Sequence, residues 1–430
     1  MSRITVDFTK TVGKIKPMHA VNNGPIKARG DQSRENFTLY SEAGIPYARN
    51  HDAAFMAAYG GEHTVDIWAI FPNPNADVND SASYDFILTD EYLKTIQEAG
   101  TKVFYRLGNK IEHWVKKYGT LPPPDFKTWA EICEHIIRHY TEGWADGFRW
   151  DIEYWEIWNE PDLDEDDCPN KRTWGGTKAQ FFDLYEITAK HLKSCFPHLK
   201  IGGPALAWRE DWAADFLREM HRREVPIDFF SWHIYCVEPK ELLTRQNNIK
   251  KLLLENGYEN AETNCNEWNY VCSWDVEYLR AVETIISMKG AAFTAACMLA
   301  SQHSTLDMLM YYDARPGVWC GIFDSYTLRP FKGYYPFRMF NTLYRLGNEV
   351  ECVSDDETVY AVAAKNGEDR AVMVCYYTDD DTAGEKTVDF VLGGEYRVEL
   401  LDEENTCTEL PWDGNTITMK RNSVLLFTSK

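Results

Sequence analysis

Apolar residues along this chain recur with two different periods, and the change between them divides it. Between residues 17 and 347, short runs rich in β-branched and aromatic residues alternate with longer segments whose apolar positions fall three and four apart. The short runs predict strands at 17–21, 45–52, 102–107, from Tyr154 onward, 200–205, 229–235, 264–270 and 308–313. The longer segments predict helices near 32–43, 89–99, 125–141, 177–195, 209–222, 238–256, 275–289, 291–301 and 333–346. In 125–141, Trp129, Ile132, Cys133, Ile136, Ile137 and Tyr140 fall on one helical face. Strand alternating with helix about eight times is the pattern of a (β/α)₈ TIM barrel. The segment 53–85 holds several Pro and Asn and exceeds a plain connection, so it is expected to wall the barrel mouth.

After Gly347 the pattern becomes short alternating runs, such as Val359–Ala364, Ala371–Tyr377 and Val424–Phe427, separated by Gly, Asn and Asp turns. This predicts a C-terminal antiparallel β-sandwich over 348–430. The run Ile4-Thr5-Val6-Asp7-Phe8 predicts a strand outside the barrel, so residues 1–16 are expected to join the sandwich and 17–347 to form the barrel.

Composition narrows the partners. A formal charge of −22 argues against nucleic acid or an anionic membrane surface. There is no apolar run long enough to span a bilayer. Polar and acidic residues near Met1 lack the apolar core of a signal peptide, so a cytoplasmic location is expected. The 11 Cys show no metal or redox spacing and are expected to be mostly buried thiols, with no metal or other cofactor called for. The composition leaves homo-oligomerisation open. Aromatic residues reach 14% with 15 Trp, which fits both large cores and sugar subsites.

The chemistry concentrates at two strand ends. Tyr154-Trp155-Glu156-Ile157-Trp158-Asn159-Glu160-Pro161 reads as a strand stopped by Pro161, which cannot donate to a ladder. Asn264-Cys265-Asn266-Glu267-Trp268-Asn269-Tyr270 supplies a second strand run carrying Asn-Glu. On the predicted order, Glu160 and Glu267 close the fourth and seventh strands, across the mouth from each other. Paired carboxylates at such a separation suit glycoside hydrolysis, with Glu160 as acid/base and Glu267 as nucleophile. Glu160 is expected to be held protonated by burial and by the negative Glu267. Glu267 is expected to be held as the anion by its hydrogen-bond donors.

The Trp155–Pro161 motif resembles the acid/base signature of the retaining (β/α)₈ glycosidase clan. With Ser231-Trp232-His233-Ile234-Tyr235 and the sandwich, the whole chain most resembles glycoside hydrolase family 39, which holds β-xylosidases and α-L-iduronidases. That resemblance implies that Asn159 binds the sugar 2-hydroxyl and that His233 and Tyr235 lie near the nucleophile. His51 and Trp319 are further candidate sugar contacts. A carbohydrate substrate and β-xylosidase-like activity are therefore expected. The segment Asn266-Glu267-Trp268-Asn269 departs from the Thr-Glu-Phe/Tyr-Asn form of the xylosidases. Release of a uronic acid would need a cation, for which Arg49, Arg106 and Arg315 are candidates. Two other classes stay in view. A sugar-binding barrel without turnover would bind aryl glycosides and not cleave them. A metal-dependent hydrolase would draw on His19, His51, Asp52 and His233 and be stopped by a chelator. The acidic run 162–167 lacks the spacing of a calcium loop and is expected to be a solvated loop.

Overall fold

Eight parallel strands close into a barrel: β2 (Ala20–Asn22), β3 (Tyr47–Arg49), β4 (Lys102–Leu107), β5 (Tyr154–Ile157), β6 (Lys200–Leu206), β7 (Phe229–Cys236), β8 (Glu262–Tyr270) and β9 (Met308–Tyr311). They pair in chain order and β2 returns to β9. The structure is a computed structural model describing residues 2–28, 34–52 and 64–430. The part of the wall segment at 53–63 and the start of the 32–43 helix lie outside the described residues. Helices occupy every crossover. Asp125 caps the helix Phe126–Thr141 by accepting from the Thr128 N–H, and Thr177 with Gln180 forms a capping box on Lys178–Cys195.

Inward positions inside the barrel fall into two levels. The floor is apolar, built from Ala20, Phe104, Tyr154, Phe229, Met308 and Met310. One step toward the strand C-termini the interior turns polar, with Asn22, Arg49, Glu156 and Asn266 all buried. Such a floor excludes water from below and leaves the polar level as the base of the mouth, the end where barrels of this kind carry chemistry.

Outside the barrel lies one nine-stranded sheet. It comprises β1 (Ser2–Lys14), β10 (Asn348–Ser354), β11 (Val359–Asn366), β12 (Asp369–Tyr376), β13 (Lys386–Val391), β14 (Tyr396–Leu401), β15 (Thr406–Leu410), β16 (Thr416–Met419) and β17 (Ser423–Ser429). Alternation divides its faces. Val362, Ala364, Met373 and Cys375 join the core shared with the barrel, and Ala361, Ala363, Val372 and Val374 join a second core with Ile4, Val6, Phe8, Phe390 and Phe427. The predicted antiparallel sandwich is thus a single sheet curled over its own core, and it is mixed, because β1 pairs antiparallel with β10 and parallel with β13.

Three local predictions shift. The strand expected over 45–52 pairs only at Tyr47–Arg49, since the residues beyond it turn into the mouth. The helix expected at 275–289 stops at Ile285, and the helix expected at 291–301 starts earlier, capped by Ser287, and runs Met288–Gln302. That second helix shows no polar face because it lies between barrel and sheet, where the Cys375 thiol donates to the Ala292 carbonyl at 3.3 Å. Among the described residues no single helix is long and apolar enough to cross a membrane. Gly347, at φ 80°, takes the left-handed turn that ends Tyr334–Leu346 and starts β10.

Candidate active site

Strict alternation along β5 and β8 would send neighbouring residues to opposite faces. Each strand carries an irregularity where two adjacent residues must face inward. β5 points Tyr154 and Glu156 into the barrel and ends at Ile157. Trp158 then takes φ 72° and Glu160 φ 48°, a region costly for any residue with a β-carbon. Trp158 swings outward, its Nε1 donating to the Thr173 carbonyl at 2.9 Å, and the chain behind it brings both Asn159 and Glu160 to the mouth. The backbone break is therefore at Trp158, three residues before Pro161. A bulge in β6 between Gly203 and Leu206 fixes the far side, where the Ala205 carbonyl accepts from the Glu160 N–H at 2.9 Å.

In β8 the register against β7 slips by one residue, pairing Trp232 with Cys265 but His233 with Glu267. Asn266 is the extra residue. It faces inward, donating to Glu156, and the bulge re-aims Glu267 inward beside it. Without the bulge, Glu267 would point into the helical shell with Cys265.

The result is a tight cluster. Ligating atoms of Glu160, His233 and Glu267 all lie within 4.8 Å of one another. His233 Nδ1 stands 2.8 Å from Glu160 Oε1 and 3.5 Å from Glu267 Oε2. The Tyr235 hydroxyl donates to Glu267 Oε2 at 3.0 Å, and Arg49 Nη1 donates to Oε1 at 2.7 Å. His51 Nε2 lies 3.8 Å from the same oxygen. Asn159 Oδ1 accepts from Arg49 Nη2 at 2.6 Å. Trp319 stands 5.8 Å from the Tyr235 ring. Geometry thus gathers Glu160, Glu267, Asn159, His233, Tyr235 and His51 into one cluster, buried except for the partly covered Glu160 and Tyr235, and sets Trp319 at its edge.

Arg49 is the hub. It is fully buried and binds Glu156 through Nε at 2.6 Å, besides Glu267, Asn159 and Asn22 Oδ1 at 3.1 Å. From the sequence, Arg49 stands only as a candidate to bind a substrate acid, and nothing there assigns a role to Glu156, Asn22 or Asn266. The available signal is a charged residue in each of two strand runs, Arg49 at the end of β3 and Glu156 one step before the end of β5. The other two arginines are also engaged: Arg106 with Asp66 at 2.9 Å, and Arg315 with Asp313 at 3.3 Å and the Asp52 carbonyl.

Burial pushes the Glu160 carboxyl up to about 8, and the next largest contribution is the charge of Asp162. Asp162, two residues away, adds to that rise, and the mutual repulsion of Glu160 and Glu267 stands among the causes that raise Glu267. Asp162 is buried and accepts from the N–H groups of Ala207, Trp208 and Arg209 at 2.7, 2.9 and 2.9 Å. Glu267 is also shifted upward, against expectation, because burial outweighs the pull of His233 and Arg49 toward the anion. Burial lowers His233 to about 4, so the imidazole is neutral near pH 7. His51 is driven well below its usual value, by burial first and then by Arg49 and Arg106.

A raised Glu160 stays protonated until the pH passes about 8, so activity requiring it as an acid is expected to fall above that pH. Replacing Asp162 by Asn removes a negative neighbour and keeps an acceptor for the backbone. The alkaline limb of the kcat/KM profile should then move to lower pH.

The Glu160, His233 and Glu267 triad could also reach a small cation, but the Arg49 guanidinium 2.7 Å from Glu267 opposes a second positive charge there. His19, one of the four residues a metal reading would need, sits at the opposite end of β2, packed on Phe340 and Tyr344.

Comparison with known proteins gives the family and the fold. The profile of glycosyl hydrolases family 39 matches residues 2–261. The chain is 32% identical over 166 residues to a β-xylosidase of Geobacillus stearothermophilus, a match spanning 38% of this chain and 29% of that protein. It is 27% identical over 249 residues to a β-xylosidase of Caldicellulosiruptor saccharolyticus, spanning 54% and 46% of the two. These matches thus cover less than half of each relative's length. The fold superposes on a glucosidase from Croceicoccus marinus with a TM-score of 0.81 at 20% identity, covering 100% and 98% of the two chains. A β-xylosidase from Caulobacter crescentus CB15 gives 0.71 at 16% identity, covering 100% and 99%. With its barrel, its carboxylate cluster and a family match over more than half its length, this chain belongs to glycosyl hydrolases family 39.

Proposed function

We propose that the chain is a retaining glycosidase that releases a terminal sugar by double displacement, with β-xylosides as the substrate class. The observation that carries this reading is the placement of Glu160 and Glu267 oxygens within 4.8 Å of each other. Retaining enzymes hold their carboxyl groups about 5–5.5 Å apart, whereas inverting enzymes leave about 6.5–9.5 Å for a water. Glu267 attacks the anomeric carbon while Glu160, kept protonated by burial and Asp162, gives its proton to the departing oxygen. The glycosyl ester on Glu267 neutralises that carboxylate. Glu160, now ionised, takes a proton from water, which attacks the same carbon and frees Glu267.

Asn159 serves the sugar through the end Arg49 leaves free. Its Oδ1 is occupied by the guanidinium, so its amide N–H₂ is turned to donate to a ring hydroxyl. Xylose as the sugar is supported by the family and by the names of the two curated relatives. A uronic acid is disfavoured by the three arginines near the mouth, each paired with a protein carboxylate.

Hydrolysis of nitrophenyl β-xyloside followed by proton NMR tests the reading. The first-formed xylose should be the β-anomer, with the α-anomer appearing only as mutarotation proceeds. Initial release of the α-anomer would rule out double displacement. Tight binding without release would point to a binding protein.

A further inference from the structure

The rings beside Tyr235 continue past the carboxylates. Trp274 meets the Tyr235 ring edge-on, with centroids 5.1 Å apart at 79°. Trp319 lies 5.5 Å from Trp274, and Tyr278 lies 5.6 Å from Trp319. These rings come from separate places in the sequence: Tyr235 from β7, Trp274 and Tyr278 from the segment following β8, and Trp319 from the segment following β9. Tyr235, Tyr278 and Trp319 are partly covered, but Trp274 is 61% exposed. An indole held in water forgoes about 25 cal/mol for each Å² of apolar surface that burial would remove. Here that open surface adjoins the ring whose hydroxyl holds Glu267.

We propose that Trp274, propped by Trp319 tilted 49° to it and by Tyr278 edge-on to Trp319, forms a platform whose open indole face stacks the second sugar ring of the substrate, the ring carried away as leaving group. This rests on the glycosidase reading and extends it to oligosaccharides of β-linked xylo- or gluco-configured sugars. In those chairs the ring hydroxyls are equatorial and the axial C–H bonds make both faces apolar. Aromatic faces carry negative charge density, which suits C–H hydrogens. The platform adjoins Tyr235, so a first sugar can lie between the carboxylates while the next rests on the Trp274 indole. Trp274 touches neither carboxylate and takes no part in bond cleavage.

The test uses two substrates of the same sugar, β-xylobiose and β-xylosyl fluoride, the second having no second ring. Trp274→Ala should lower kcat/KM for xylobiose about tenfold, mainly through KM, and leave fluoride hydrolysis unchanged. Trp274→Phe should recover most of the loss. If Trp274 only shields Tyr235 from water, both substrates suffer equally and the platform is wrong. Unchanged rates on both also overturn it. Failure of the unmodified enzyme on the fluoride would count against the glycosidase reading itself, and the platform would fall with it.

Discussion

Glu267→Ala is expected to lower kcat by about 10⁴-fold or more, with the barrel intact. The side chain is buried at the bulge of β8, and its two oxygens are held by Arg49 and Tyr235. Ala removes the carboxylate that faces Glu160, and it leaves a space beside a guanidinium. Azide fits that space and that charge. Added azide should therefore restore turnover and yield a glycosyl azide of inverted configuration. The same change at Glu160 predicts a different product. There the glycosyl ester on Glu267 still forms from a substrate with a good leaving group, and azide should capture it with retained configuration. NMR of the two azide products separates the roles. Near-full activity of Glu267→Ala, or the same anomer from both variants, would refute the assignment.

Arg49→Met is expected to cost about 3–5 kcal/mol of stability together with most of the activity. Methionine fills much of the volume of the arginine stem but leaves Glu156 buried with no cation, where Arg49 now stands at 2.6 Å. Leaving one member of a buried pair without its partner is the costly case, far more so than replacing both. Adding Glu156→Gln to Arg49→Met should thus regain part of the stability, read as a rise in Tm. It should not regain activity, because Glu267 still lacks the donor at 2.7 Å and Asn159 lacks the group that orients it. Loss of that cation also removes one of the charges holding Glu267 toward its anion, so any residual activity should show its acid limb at higher pH. A double variant that recovered both stability and rate would reduce Arg49 to a scaffold role.

These outcomes depend on residues of unequal visibility in the sequence. Glu160 was visible because Pro161 marks the end of a strand, and a strand end in a barrel is where chemistry sits. Glu267 was visible because a second Asn-Glu recurred three strands later. His233 and Tyr235 entered through the Ser231–Tyr235 run and fall in the cluster. Asp162 reads as part of a solvated acidic loop, yet it is buried against three backbone donors and its charge adds to the burial that raises Glu160. Composition could not show this, since an Asp in a run of acids looks the same whether its neighbours are water or the N–H groups of a helix start.

The sequence by itself determined the (β/α)₈ order, the change to short strands after Gly347, and the two glutamates. Each is written in hydrophobic period or in a residue with a fixed backbone consequence, and both signals are local. The tertiary structure alone decided that Asn159–Glu160 and Asn266–Glu267 turn inward as pairs. It also decided that Arg49 ties three strands together beneath them, and that the last sheet curls into one mixed surface. Those features depend on which atoms meet across the barrel: a bulge exists only relative to the register of its neighbour strand, and a buried charge is tolerable only beside its partner.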